Sequence, residues 1–292
     1  MSIALVITDR TTDLLVQSLK NLQPDLSIQA WPNIKKPEAV SLAVLWQQPP
    51  GILKQFKNLK AVTSFGAGID FILIDPSLPK NIPVLRIVTK DLKQQMTQYV
   101  LAHILNDYRN LKLYKQQQSH NKWMVHELPK KTTIGFLGLG EIGCFVAKQC
   151  QALGFNVVAY TQQSSYKKIP CFHEEEGFKK VMQVSDYIVC LLPLTVETIG
   201  ILDYKALSYC QKQPMLIQAG RGQQLIEVDL LKALEVGLIK HAVLDVFNTE
   251  PLPNEHEFWN REDITISPHN AARSDIEQTA KEILGHYHYL ND

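Results

Sequence analysis

Several things are scarce in this chain, and each scarcity removes a class of function. Cysteine is scarce: Cys144, Cys150, Cys171, Cys190 and Cys210 are odd in number and form no Cys-x-x-Cys pair, which argues against a disulfide scaffold or a zinc ribbon. Reduced thiols in a cytoplasmic protein are expected. Charge imbalance is absent as well, since 30 basic against 29 acidic side chains leave a formal +1. That balance points away from nucleic acid or an anionic membrane and toward a small-molecule partner. Long apolar runs are missing too. The opening MSIALVITDRTTD has no basic leader region and its apolar run stops at Asp9 and Arg10, so it reads as a first strand rather than a signal or a membrane span. No repeat or low-complexity tract suggests disorder.

What is present is material for two cores. A length of 292 residues with 45% hydrophobic composition suggests two domains. In the first part, short apolar runs (SIALVIT, SIQAW, SLAVLW, AVTSFGAG, VLRIV) alternate with helical stretches at 11–22 and 52–59, the pattern of a parallel sheet with helices on its faces. One long helix is predicted from about Asp91 to Gln117. Six strand-like runs then follow (TTIGFLG, NVVAY, DYIVCLL, PMLIQA, HAVLDVF, ITISPH), separated by helices such as EIGCFVAKQCQAL and EVDLLKALEV. Gly154 and Gly237 stand where those two helices need left-handed caps. The expected fold class is α/β, with two Rossmann-like or flavodoxin-like domains and parallel sheets. The domains are predicted at 1–92 with 275–292 and at 93–274, the larger being a dinucleotide-binding Rossmann domain. In the last helix, His286 and His288 are two residues apart and face different ways, which disfavours a shared metal.

The chemistry gathers at strand ends. Gly138, Gly140 and Gly143 form a G-x-G-x-x-G with Glu141 and Ile142 at the helix start, directly after a strand. In that setting Gly138 permits the turn, Gly140 lets backbone approach a pyrophosphate, and Gly143 allows close packing of helix on strand. Cys144, next in line, reads as a small packing residue. After the second strand an NAD site usually carries Asp or Glu for the ribose hydroxyl, but 161–168 contains no carboxylate. Thr161, Gln162, Ser164 and Lys167 or Lys168 suit a 2′-phosphate better, so NADP is expected, with NAD as the alternative. Downstream, Arg221, Glu250 and His269 each lie at or just past a strand end. Singly, they read equally as a surface turn, a loop acid and a capping histidine. Together they supply what reduction of a 2-keto acid needs: a proton donor in His269, an anion in Glu250 that favours its charged form, and in Arg221 a cation to hold and polarise the substrate. Gly220 and Gly222 are expected to leave room beside the Arg221 fork. In the first part, Ala67 and Gly68 in SFGAGID could turn N–H groups toward a carboxylate, and Trp46 could wall the substrate or simply pack in the core. Selectivity among acids is expected to involve Trp46 and Met96.

With these residues in place, the sequence resembles the D-isomer-specific 2-hydroxyacid dehydrogenases, most of all their glyoxylate/hydroxypyruvate reductase A branch. SFGAGID, TQYVL, Trp123, GLGEIG, LLPLTVET, the GRG turn, LDVFNTEPLP and SPHNAA occur in the family's order. The resemblance implies that Arg221 binds substrate, that His269 is the catalytic acid and that Glu250 supports it. It also implies coenzyme contacts from Asp245 to the nicotinamide carboxamide, from Leu192, Pro193 and Thr198 near the adenine and diphosphate, and from Ala219. By sequence alone Asp245 reads equally as a strand-end cap. Gln218 and Gly220 replace the family's usual Asn and Ala or Ser, Gln98 replaces a frequent Glu, and Gln162 and Ser164 replace the branch's arginines. A homodimer through the coenzyme domain is implied. An NAD-linked enzyme acting on a larger acid and a dinucleotide-sensing regulator remain alternatives.

Overall fold

Runs of branched apolar residues too short for a helix and bounded by turn residues become buried parallel strands. In the computed structural model, which describes residues 1–162 and 168–290, the first part runs β1 (Ser2–Ile7), α1 (Asp13–Leu22), β2 (Ile28–Ala30), β3 (Val40–Trp46), β4 (Ala61–Ser64), α2 (Asp70–Leu73) and β5 (Val84–Leu85). These strands form a parallel sheet of order β2-β1-β3-β4-β5. Every residue of β1 is buried, as expected of a strand covered on both faces.

The chain continues through α3 (Lys90–Tyr108), α4 (Leu111–Ser119), β6 (Thr133–Leu137), α5 (Glu141–Ala152), β7 (Asn156–Tyr160), β8 (Cys171–Phe172), α6 (Glu174–Val184), β9 (Tyr187–Cys190), α7 (Tyr204–Ser208), β10 (Met215–Gln218), α8 (Glu227–Glu235), β11 (His241–Leu244), β12 (Ile264–Ile266) and α9 (Ile276–Tyr289). The second sheet is parallel with order β12-β11-β10-β9-β6-β7-β8, so the direction of winding reverses between β6 and β9. This is the Rossmann arrangement, whose switch point opens a crevice at the carboxyl ends of the strands. Two compact units result: Met1–Leu92 with Arg273–Asp292, and Lys93–Ala272. In the first, α9 returns to bury Ala280, Ile283 and Leu284 with Leu15 and Leu19 of α1. No helix among the described residues is long and apolar enough to cross a membrane.

Two expectations need correction. The predicted single helix over 91–117 is two helices, because Asn110 adopts φ 56° and breaks the hydrogen-bond ladder between Tyr108 and Leu111. Asn tolerates that left-handed conformation better than most side chains. Among the described residues the second sheet has seven strands rather than six: Cys171–Phe172 adds a two-residue edge strand beside β7. The predicted caps are present, Gly154 at φ 87° and Gly237 at φ 73°.

Candidate active site

Register builds the site. Leu137, Cys190, Gln218, Leu244 and Ile266 pair across neighbouring strands, so the five central and outer strands end level with one another. Everything that follows those residues in sequence therefore emerges on one edge of the same sheet. Gly138, Leu192, Arg221, Asp245 and His269 all follow within three residues, and Glu250 follows Asp245 by five.

The glycine turn is shaped for a ligand at one position and for packing at the other two. Gly138 has φ 96°, and a Cβ there would lie 2.8 Å from the Leu191 carbonyl oxygen. A Cβ on Gly143 would stand 2.4 Å from the Gly138 oxygen, whereas one on Gly140 would meet nothing within 4 Å. Open space over Gly140 at the start of α5 is the cradle a pyrophosphate needs, so the turn fits a dinucleotide. At the end of β7, Thr161 is buried and its carbonyl accepts from His173, while Gln162 is exposed. Ser164 and Lys167 lie outside the described residues.

Two glutamines hold the Arg221 turn. Gln218 Oε1 accepts from the Gly220 N–H at 3.2 Å and its Nε2 donates to the Arg221 carbonyl at 3.1 Å. Gln224 Oε1 accepts from the Arg221 N–H at 2.9 Å. The flanking glycines have a different reason from the expected one. A Cβ on Gly220 would sit 2.4 Å from Gln224 Oε1, and one on Gly222 would sit 2.0 Å from the Phe247 backbone. They admit close packing beneath the turn rather than clearing space around the guanidinium.

His269 Nδ1 lies 2.7 Å from Glu250 Oε2, and Glu250 Oε1 accepts from the Phe247 N–H at 2.9 Å. No other hydrogen bond to the imidazole occurs among the described residues, which leaves Nε2 for a ligand. Partial burial opposes ionisation of Glu250. Hydrogen bonds from His269 and Phe247, with the nearby charges of His269 and Arg221, outweigh it and hold the carboxyl below its ordinary value. His269 itself has φ 50°, a conformation that costs a non-glycine residue on the order of 1 kcal/mol or more. Its N–H donates to the Asp245 and Ser267 carbonyls at 2.9 and 3.0 Å. The Asp245 carboxylate accepts from Ser267 Oγ (2.7 Å) and from the N–H groups of Asn270 and Ala271 (3.0 Å each). It thus caps the turn that presents His269. Burial nonetheless raises Asp245 above its ordinary carboxylate value, with those three donors opposing. Behind it, Tyr99 of α3 shares a 2.7 Å hydrogen bond with Ser267 Oγ.

Several of these groups escaped the sequence reading. Gln218, Gln224, Tyr99 and Ser267 carry no charge, and glutamine or serine near a turn ordinarily means a solvated loop; Gln224 and Ser267 had one signal, a place past a strand end, Gln218 stands out only as a departure from the family's Asn, and Tyr99 lies inside α3. Of the remaining expected residues in this unit, Thr198 Oγ1 donates to the Pro193 carbonyl at 2.7 Å and fixes the loop after β9. Ala219 is half-buried at the end of β10, and Met96 is buried in the core with Val100 and Ile104. Cys144 is buried as expected, and Cys150, Cys190 and Cys210 are pushed by burial to about 12, far from reactive thiolates.

The first unit has its own polar edge. Trp46 ends β3, packs edge-on against Phe65 and Phe71, and donates from Nε1 to Asp9 at 3.2 Å. Arg10 forks onto Asp9 at 2.9 and 2.6 Å and lies over the Trp46 and Phe65 rings. In sequence, Asp9 and Arg10 mark only the end of an apolar run. Ser64 Oγ ties the following turn by donating to the Gly68 carbonyl at 2.6 Å, and among the described residues the N–H groups of Ala67 and Gly68 donate to no protein acceptor.

Known proteins similar to this chain share its two-domain α/β fold. Residues 101–271 match the family model of the D-isomer specific 2-hydroxyacid dehydrogenase NAD-binding domain. Curated relatives include a glyoxylate/hydroxypyruvate reductase A of Serratia proteamaculans, 34% identical over 274 residues (89% of this chain, 87% of that protein), and one of Yersinia enterocolitica, 33% identical (88% and 84%). Among solved structures, a D-isomer specific 2-hydroxyacid dehydrogenase from Xanthobacter autotrophicus in complex with NADPH and MES superposes with TM-score 0.92 at 27% identity, covering 99% of this chain and 94% of that one. An NADPH-dependent glyoxylate/hydroxypyruvate reductase from Sinorhizobium meliloti, in complex with NADP and sulfate, gives TM-score 0.88 at 27% identity, covering 100% and 95%.

Proposed function

We propose, because the chain belongs to the D-isomer-specific 2-hydroxyacid dehydrogenase family, that this oxidoreductase reduces a small 2-keto acid to the 2-hydroxy acid with NADPH, glyoxylate and hydroxypyruvate being the leading substrates. The observation that carries the reading is the His269–Glu250 pair at 2.7 Å on the same sheet edge as Arg221 and the Gly138–Gly143 turn. NADP is supported by the solved relatives that hold NADPH or NADP, and by the lack of a carboxylate in 161–168.

Gly138, Gly140 and Gly143, with the first turn of α5 at Glu141 and Ile142, would hold the diphosphate. Leu192, Pro193, Thr198, Ala219 and Asp245 would line the rest of the dinucleotide, and Thr161, Gln162 and Ser164 its ribose phosphate. When bound, the reduced nicotinamide supplies the hydride that goes to the carbonyl carbon. Arg221 grips the substrate carboxylate or carbonyl through its planar fork and draws electron density toward the oxygen. His269 gives its Nε2 proton to that oxygen as negative charge develops, and Glu250, hydrogen-bonded to Nδ1, fixes the ring and favours the imidazolium before transfer. In the first unit, substrate contacts are assigned to the backbone of Ala67 and Gly68 and to Trp46. Self-association through the coenzyme unit is proposed as well, from the exposed apolar run Trp123, Met124 and Val125 after α4.

The test is a panel: loss of reduced-nicotinamide absorbance with NADPH or NADH against glyoxylate, hydroxypyruvate, pyruvate and a bulkier aromatic keto acid. Turnover with NADPH and the two small acids is expected. NADPH binding without turnover on any acid would overturn the assignment.

A further inference from the structure

One uncharged side chain ties together two turns that a sequence reading treats separately. Gln224 is fully buried, and both its amide nitrogen and its amide oxygen are hydrogen-bonded, the nitrogen to a different loop and the oxygen to its own turn. Its Nε2 donates to the carbonyls of Leu192 and Pro193, both at 3.0 Å, on the loop after β9. Its Oε1 accepts from the Arg221 N–H at 2.9 Å, on the turn after β10. The chain of contacts extends one step further. The backbone of Leu191 and Leu192 lies where a Gly138 Cβ would be, 2.8 Å from the Leu191 oxygen and 2.9 Å from the Leu192 nitrogen. Glycine turn, β9 loop, Gln224 and Arg221 therefore touch in series.

Only a neutral amide satisfies this position, which requires two donors toward one turn and an acceptor toward the other. A glutamate lacks the donors, and an aliphatic residue would leave the Leu192 carbonyl and the Arg221 N–H without this partner, while the Pro193 carbonyl would keep only Thr198 Oγ1. Gly220 is the complement of that amide, since a methyl group there would stand 2.4 Å from Gln224 Oε1. The replacement of the family's usual residues at 218 and 220 thus has a physical counterpart at 224.

We propose that Gln224 is a positioning residue that sets Arg221 relative to the backbone lining the coenzyme, so that coenzyme affinity and keto-acid affinity depend on the same amide. The inference rests on the function proposed above for the Gly138 and Arg221 turns. Gln224 touches no reacting atom; it acts through the two loops it joins.

The test uses the full-length protein and Gln224→Met, which keeps side-chain length without the hydrogen bonds. Three quantities are read: the NADPH dissociation constant from fluorescence titration without keto acid, KM and kcat for glyoxylate, and Tm. Both the dissociation constant and KM are expected to rise about tenfold, the scale of leaving buried partners unpaired, with kcat changing less than either. Unchanged constants beside a lowered Tm would mean a purely structural role and overturn the proposal, as would a rise in one constant alone. A second arm guards against misfolding. Gly220→Ala should raise the same two constants, and most of that effect should vanish in a Gln224→Ala background, where the colliding oxygen is gone; an equal effect in both backgrounds overturns the pairing. An inactive wild type would contradict the proposed function, whereas an active wild type with unaffected Gln224→Met contradicts the bridge alone.

Discussion

Glu250 shows how a single carboxylate can be read twice, once in stability and once in rate. Burial works to raise its folded-state value, but His269, Phe247 and Arg221 together hold it below that of a free carboxylate. A depressed value means stabilisation that is complete above the ordinary carboxylate range and lost as pH falls through the folded value. Glu250→Gln should therefore cost stability at neutral pH and very little in strong acid, so the gap between wild-type and variant Tm closes on acidification. In turnover the same substitution removes the carboxylate that holds the His269 ring through Nδ1. Glu250→Gln should lower kcat with keto acid at saturating NADPH, and an unchanged kcat would contradict the pairing. At this scale the charged members were legible in the sequence because each combined a reactive group with a strand end. Their supports were not: Ser267, Tyr99, Gln218 and Gln224 matter through specific 2.7 to 3.5 Å partners that adjacency in sequence does not reveal.

At the scale of elements, the glycine turn separates packing from ligand space. A Cβ at Gly143 meets the Gly138 oxygen at 2.4 Å, and one at Gly140 meets nothing. Gly143→Ala should destabilise the protein without ligand by about 1–3 kcal/mol, the usual cost of overpacking, and weaken NADPH binding. Gly140→Ala should leave the Tm of the same ligand-free protein nearly unchanged while still weakening NADPH. Thermal denaturation with and without NADPH checks both, and a Gly140→Ala protein with full NADPH affinity would refute the cradle. The strands behind this turn were legible because buried parallel strands announce themselves as continuous apolar runs. Two features escaped. Cys171–Phe172 is too short for any period to register, and Asn110 sits inside an otherwise helical pattern, where only its left-handed backbone reveals the break.

Across the whole molecule, composition and order of motifs gave the α/β class and the family, while exposure required coordinates. Trp123 is 97% exposed, with Met124 and Val125 beside it, although tryptophan in a sequence usually suggests a core. That exposure is the basis for expecting a second copy of the chain at this surface. Light scattering after size exclusion should give a dimer for wild type and a larger monomer fraction for Trp123→Ser; a wild-type monomer at micromolar concentration would contradict self-association. The central claim concerns the carboxyl edge of the second sheet, where a proton donor, a cation and a dinucleotide cradle are proposed to meet. It is tested most directly by measuring NADPH oxidation with glyoxylate for wild type and His269→Asn at matched coenzyme saturation. A loss of roughly 10² to 10⁴ in kcat with an unchanged NADPH dissociation constant is predicted, the range expected when a general acid is removed. A His269→Asn protein that turns over at the wild-type rate would contradict it.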